Sequence, residues 1–223
     1  MGSHPLTVVI NPGHNGGNAT HPEQMSRQVP AGYGAYKDCD TTGTETDAGY
    51  PEHAFNWDVS LRIARILRGQ GLHVVLTRHS DTGVGPCVDR RTYIGNHPWD
   101  AAVVSIHADG APASGHGFHV NQDSRIPDGA TRKVARESRL LGRYVHDALQ
   151  QSSGLVPSTY IGSDGYVYRD DFAGLNLAMR PATFLELGNM KNAGDAALQS
   201  SARGRQRIAA SIAAGILAFL HRS

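Results

Sequence analysis

The sequence predicts an α/β fold: a single domain in which helices flank both faces of a mostly parallel, twisted sheet. Along the chain, short apolar runs alternate with amphipathic segments, which is typical of strand–helix–strand units with right-handed crossovers. A length of 223 residues suits one domain, which we expect to span residues 5–223. Residues 1–4 resemble a tail left by recombinant expression, so we expect it to replace any natural export signal.

The apolar runs predict five strands, and the amphipathic segments predict four helices. The first helix begins near Glu52, carries Phe55, Val59 and Ile63 at helical spacing, and ends before Gly71. The predicted strands are residues 6–10, 74–77, 101–107, 117–120 and 182–187. The predicted helices are residues 52–68, 89–95, 133–149 and 202–220.

Composition excludes several classes of partner. A net charge of +1 gives no electrostatic reason to expect binding to nucleic acid or to an anionic membrane. No run of about 20 apolar residues is available to span a bilayer. We therefore expect no nucleic-acid partner and no membrane span, and we expect a monomer.

Four residues stand where a catalytic metal site would form. His14 follows the first apolar run, and His107 and Glu186 end two later ones, so all three should meet at the carboxyl edge of the sheet. Glu52 opens the first helix. Two imidazoles and a carboxylate are a catalytic zinc set that leaves one position for water, and a second carboxylate can act as general base. The pattern predicts a zinc hydrolase.

Ordinary structural roles compete with this interpretation. The chain has 12 histidines, and a single histidine after a strand is more often a loop residue. Glu52 could serve only the dipole of its helix. Glu186 is harder to explain in this way, because burying a carboxylate in an apolar run is costly without compensation. The pattern alone leaves both interpretations open.

Cys39 and Cys87 are the only cysteines. They could form one disulfide, as in exported proteins, or remain two free thiols. We favour the disulfide, worth roughly 3–4 kcal/mol on the chain-entropy model, because zinc chemistry here needs no sulfur. His116 and His119 could hold a second metal, but surface positions are favoured for both.

Several motifs resemble one enzyme family. Asn11-Pro12-Gly13-His14, Ser105-Ile106-His107-Ala108-Asp109 and Phe184-Leu185-Glu186-Leu187-Gly188-Asn189 resemble the signatures of the zinc-dependent N-acetylmuramoyl-L-alanine amidases, the Amidase_3 family. Residues 76–78 and 91–96 also match, so the resemblance covers nearly the whole chain. Among the members, the chain resembles the short mycobacterial and actinobacterial wall amidases. The chain departs from the family at Asn11, Asn15 and Asp109, none of which is a ligand or the base.

The resemblance implies a role for each residue. His14, Glu52 and His107 would bind Zn²⁺, and Glu186 would be the catalytic carboxylate. The reaction would release the stem peptide from muramic acid in peptidoglycan fragments, so the enzyme would be exported to the periplasm or wall. Glu23, Glu45 and His53 are rivals of Glu52, because the insert at residues 16–51 blurs the alignment.

Substrate contacts and two rival functions stay open. Arg169, Asp170 and Asn176 precede the Glu186 strand and could bind the stem peptide, since arginine suits a carboxylate; a solvated loop is the alternative. A zinc peptidase that cuts another amide of the stem, or a non-catalytic wall-binding regulator, would share much of the pattern. We favour catalysis because all four site residues are present.

Overall fold

The computed structural model describes residues 6–222, so the predicted tail at residues 1–4 lies outside the described residues. These residues form strands and helices in alternation, with a short 3₁₀ helix at Asn18–Thr20. The strands are β1 (Thr7–Pro12), β2 (Gln28–Gly32), β3 (Ala35–Asp38), β4 (His73–Leu76), β5 (Asp100–Asp109), β6 (His119–Asp123), β7 (Tyr166–Arg169) and β8 (Ala182–Asn189). The helices are α1 (Pro22–Met25), α2 (Glu52–Gly69), α3 (Val88–Ile94), α4 (Arg132–Ser152), α5 (Ala173–Asn176), α6 (Ala193–Ser200) and α7 (Ala202–Leu220).

Six strands form the central sheet in the order β4-β1-β5-β8-β6-β7. The first four run parallel, with β1 beside β5 and β5 beside β8. The last two run parallel to each other, but β6 is antiparallel to β8. The sheet is therefore mostly parallel, and the predicted fold class is confirmed.

The two faces of the sheet pack against different layers. On one face, α2, α4 and α7 cover the larger core, in which Val104, Leu185 and Ile212 are fully buried. On the other face, α3 and α5 cover a smaller cluster around Val9, Val103 and Phe184. Alternate residues of β5 and β8 point to opposite faces, so Phe184 and Glu186 share the face with the smaller layer.

A hairpin of β2 and β3 extends this smaller layer. The two strands pair antiparallel, and α5 packs against β2. Immediately after β3, Cys39 forms a disulfide with Cys87, the residue before α3, with Cα atoms 4.4 Å apart. The predicted disulfide is present and ties the end of the hairpin to α3.

The five predicted strands and four predicted helices are all found, with shifted ends. The strand expected at residues 117–120 begins and ends later, as β6. The sequence analysis missed β2, β3, β7, α1, α5 and α6, which are all eight residues or shorter. Within residues 6–222, no helix is long and apolar enough to cross a membrane.

Candidate metal centre and active site

The four candidate residues meet at the carboxyl edge of the sheet. His14 lies two residues beyond β1, and His107 lies near the end of β5. Glu186 on β8 is in register with His107, so the two side chains leave the same face side by side. Glu52 is the first residue of α2, whose start faces this edge. The predicted convergence of strand ends is observed.

Glu52 lies between the two imidazoles. Its carboxylate oxygens are 3.2 Å from His14 Nε2 and 3.0 Å from His107 Nδ1. One nitrogen or oxygen from each of the three residues lies within 4.8 Å of the others, the spacing of a metal-ligand trio. The backbone N–H of Thr44 and the side-chain amide of Asn56 also donate to the carboxylate, which fixes its plane.

The orientation of the His14 ring is fixed by contacts at Nδ1, the nitrogen that does not face Glu52. Its Nδ1 lies 2.9 Å from the Thr41 carbonyl oxygen and 3.2 Å from Asp40 Oδ1. A carbonyl oxygen can only accept, so Nδ1 carries a proton, and Nε2, which faces Glu52, is the nitrogen left to bind a metal. Metal-binding histidines usually have this outer hydrogen bond, since it fixes the tautomer.

Two buried arginines stabilise the unusual backbone conformation of His14. His14 has φ 55°, in the left-handed region that non-glycine residues rarely adopt. The guanidinium of Arg91 donates to the carbonyl oxygens of Pro12 and His14 and to Asp40 Oδ2. Arg78 donates to the Pro12 carbonyl as well. These bonds stabilise the turn that presents the imidazole.

The electrostatics favour a cation between the ligands. Burial alone would lower the pKa of His14, but Glu52 and Asp40 outweigh it and raise that pKa to about 10. Burial would raise the pKa of Glu52, yet the two imidazoles hold it well below its usual range. In the metal-free protein, a second proton on the His14 imidazole supplies the positive charge. Two nitrogens and a carboxylate fit a divalent metal in the same place.

Comparisons with known proteins agree with this site. The family model described as Amidase_3, N-acetylmuramoyl-L-alanine amidase, matches residues 8–218. The chain belongs to this amidase family. Its activity is therefore hydrolysis of the amide bond between N-acetylmuramic acid and L-alanine in peptidoglycan.

Individual relatives are similar over almost their full length. The N-acetylmuramoyl-L-alanine amidase Rv3717 of Mycobacterium tuberculosis is 46% identical over 215 residues, covering 96% of this chain and 86% of that protein. The crystal structure of the amidase Ami1 from Mycobacterium smegmatis superposes with a TM-score of 0.89 at 44% identity, covering 96% of each chain. Apo Ami1 from Mycobacterium abscessus gives a TM-score of 0.89 at 46% identity, covering 96% of this chain and 98% of that one.

The catalytic candidate of the amidase, Glu186, lies beside the ligand trio. Burial, then the negative charges of Glu52 and Asp109, raise the pKa of its carboxyl group well above the usual value. Its Oε2 atom is buried and has no hydrogen-bond partner among residues 6–222. A carboxyl group in such surroundings holds a proton readily, as an acid–base group must.

A cleft of about 200 Å³ opens next to these residues. Its apolar wall contains a stack of three rings. The ring centroids of His107 and Phe184 are 4.3 Å apart, and those of Phe184 and Phe172 are also 4.3 Å apart. Lys37 and Asp38 of the hairpin also line the cleft. A ligand in this cleft would contact both the hairpin and the candidate active site.

The predicted substrate residues lie outside this cleft. Arg169 pairs with Asp171, and Asp170 with Arg125. Asn176 is buried and donates to the carbonyl oxygens of Ala31 and Asp170. None of the three lines the cleft, and their role in substrate binding stays a prediction.

The rival ligands of the amidase lie elsewhere. Glu23 and Glu45 are exposed, and His53 binds Asp81 at 2.9 Å. The expectation that His119 lies on the surface is wrong, because this side chain is only 2% exposed, whereas His116 is exposed. The sequence analysis missed Asp40, whose one signal was its position beside Cys39.

Proposed function

We propose that the amidase is a zinc enzyme in which His14, Glu52 and His107 bind Zn²⁺ and Glu186 moves the proton. The observation that carries this proposal is the convergence of three donor atoms within 4.8 Å beside the carboxyl group of Glu186. The set of two histidines and one glutamate, with a proton fixed on His14 Nδ1, is what catalytic zinc prefers.

Bound zinc supplies two kinds of chemistry, since it lowers the pKa of water toward 7 and polarises a carbonyl group. The protein supplies the rest. Asp40 and the Thr41 carbonyl orient His14, Glu52 lies against both imidazoles, and the phenylalanine stack fixes the ring of His107. Because Glu52, Asp40 and Phe184 are buried, the ligand geometry exists before substrate arrives.

Glu186 performs the proton transfers in this proposal. A carboxylate oxygen takes a proton from the attacking water as the carbon–oxygen bond forms. The same carboxyl group then gives the proton to the nitrogen of L-alanine as the amide bond breaks. A pKa raised by burial and by the charge of Glu52 lets Glu186 hold the proton between these steps.

The substrate class we propose is muropeptides, with residues 5–223 forming one catalytic domain that works as a monomer. The cleft beside Glu186 is also lined by Lys37 and Asp38 of the hairpin, and the stem peptide would lie along this side. Arg169, Asp170 and Asn176 are the proposed, more distant contacts. A disulfide and a wall substrate support export to the periplasm or the cell wall.

The test is hydrolysis of a defined muramoyl-dipeptide, followed by mass spectrometry, with and without a chelator. We expect the free dipeptide and intact N-acetylmuramic acid, both lost on chelation and restored by zinc. Glu186→Gln should keep one zinc per chain and lose at least about 1000-fold in kcat. Cleavage at another amide would indicate a zinc peptidase, and binding without cleavage would indicate a wall-binding regulator.

A further inference from the structure

The antiparallel strand β6 brings a second histidine to Glu186. His119 on β6 is directly opposite Glu186 on β8, while His107 is opposite it on the other side. Residues directly opposite in an antiparallel pair share one face, with Cβ atoms about 4.5–5.5 Å apart. The Glu186 carboxyl group therefore lies in a row between two imidazoles, of which only His107 belongs to the ligand trio.

His119 and Glu186 each have a buried polar atom without a partner. Neither His119 Nδ1 nor Glu186 Oε2 has a hydrogen-bond partner among residues 6–222. Buried polar atoms are nearly always satisfied, because leaving one unpaired is costly. The pairing of the two strands places both side chains on one face, at a separation that one bridging water can span. A bridged hydrogen bond between His119 Nδ1 and Glu186 Oε2 would satisfy both atoms.

The surroundings keep His119 neutral. Burial lowers its pKa to about 4, with Asp109 pulling that pKa up and Arg169 pulling it down. The ring of Tyr160 packs edge-on against the imidazole at 6.0 Å, and its hydroxyl donates to Asp109 Oδ2. A neutral imidazole carries one N–H donor, so His119 can donate to a carboxylate without taking part in proton transfer.

We propose that His119 is a positioning residue for Glu186, donating its Nδ1–H to Oε2 through one bridging water. This bond would hold the plane of the carboxyl group while the other oxygen takes and returns the proton. No covalent bond forms or breaks at His119. The proposal rests on the proposed function, in which Glu186 is the acid–base group. Loss of such positioning should act on kcat more than on substrate binding.

Two substitutions at position 119 test the proposal with muramoyl-dipeptide as substrate. His119→Leu keeps the volume and removes both nitrogens, and we expect kcat to fall about 10–100-fold with KM within about twofold. His119→Asn places an amide nitrogen where Nδ1 was, and we expect kcat within about fivefold of the parent enzyme. Zinc content and melting temperature, measured alongside, should show one zinc per folded chain in both variants.

Gln122→Met is the matched control. Gln122 is buried on the same strand, but it faces α4 on the other side of the sheet. We expect this variant to keep kcat within about twofold, because it disturbs β6 without touching Glu186. An equal loss in Gln122→Met and His119→Leu would show that β6 matters only as structure, and would overturn the proposal.

Other outcomes are equally decisive. Unchanged kcat in His119→Leu, or equal losses in His119→Leu and His119→Asn, would overturn the proposal, as would a change confined to KM. If the leucine variant does not fold, His119→Gln replaces it, since its amide lies one carbon further out and should cost at least about tenfold more than asparagine. Full activity in Glu186→Gln would refute the proposed function instead.

Discussion

His14 depends on neighbours that are remote in the sequence. Asp40 and Thr41 lie 26 and 27 residues away, yet they fix the proton of the imidazole on Nδ1. Arg91 links the two sides of this arrangement, because it donates both to the His14 carbonyl and to Asp40. The strength of metal binding should therefore depend on residues that never touch the metal.

Asp40→Asn tests this dependence. The variant removes the negative charge behind His14, and we expect zinc affinity to fall about 10–100-fold. Competition with a chromogenic chelator would measure the dissociation constant. Asp38→Asn is the control, since it removes the same charge two residues earlier from an exposed side chain that bonds Gln28. Equal affinities in the two variants would contradict a role for Asp40 in orienting His14.

Among the residues of the site, those that follow strands could be predicted from the sequence, and those that lie in loops could not. His14, His107 and Glu186 were predictable because apolar runs show where parallel strands end. Asp40 was not, because no periodicity exists in the insert that carries it. The burial of His119 was also unpredictable, since it depends on β6 running against β8, and a strand pattern does not reveal direction.

The segment between β3 and α2 passes very close to the ligands. At Gly43, with φ +77°, an added Cβ atom would lie 2.7 Å from Glu52 Oε2 and 2.8 Å from His14 Cδ2. Gly49, in the same segment, has φ +79°, and a Cβ atom there would have nothing within 4 Å. The two glycines share a conformation and differ only in what surrounds them.

Gly43→Ala and Gly49→Ala form a matched pair. Each should cost about 1–2 kcal/mol of stability through backbone strain. Only Gly43→Ala should also displace Glu52 and His14, and we expect it to lose at least about tenfold in zinc affinity and in kcat/KM. Isothermal titration with zinc and a hydrolysis assay would separate the two effects. Similar activity in both variants would mean that the ligands can shift without loss.

The disulfide joins two elements that frame the cleft, and it closes a loop across a sequence separation of 48 residues. Replacing both cysteines with alanine should lower the free energy of unfolding by about 4 kcal/mol on the chain-entropy model. Urea denaturation of zinc-free protein would measure this difference, with reduced parent protein as a second comparison. A loss below about 1 kcal/mol would show that the loop is already restricted in the unfolded chain.

Short elements escaped prediction for identifiable reasons. Strand β2 contains Pro30 and ends at Gly32, residues that normally argue against a strand and are tolerated only at an edge. Strand β3 and helix α5 have four residues each, which is too few to show a period. Helix α2, with 18 residues, was predicted almost to the residue because its apolar spacing is regular.

Across the whole molecule, the larger core and the active site lie on opposite faces of the sheet. Helices α2, α4 and α7 bury the larger core, while the cleft forms on the face that α3, α5 and the hairpin cover. Glu52, at the start of α2, links the two, because its carboxylate contacts both candidate histidines. Stability and catalysis should therefore respond to different substitutions.

Ile212→Ala tests this separation. The side chain is fully buried in α7, and its truncation should lower the free energy of unfolding by about 2–5 kcal/mol. At temperatures well below the melting point, kcat should stay within about twofold. Arg203→Ala, at an exposed position of the same helix, should change stability by less than about 0.5 kcal/mol. A large loss of kcat in folded Ile212→Ala would show that the two faces are coupled.

The overall architecture was predictable because alternating strands and helices leave few arrangements of a parallel sheet. The reversal of β6 and β7 was not, since no strong sequence signal distinguishes a crossover from a return connection. That reversal decides which residues adjoin Glu186, so a whole-molecule feature determines the composition of the candidate site.

The left-handed backbone of His14 has an evolutionary consequence. Selection for the imidazole opposes the conformational preference of the chain, which at φ 55° favours glycine by about 1–2 kcal/mol. A duplicated copy of this gene that no longer needed catalysis would gain stability by drifting toward glycine or asparagine at position 14. Among descendants of this enzyme, a histidine retained at position 14 would indicate continued selection for catalysis.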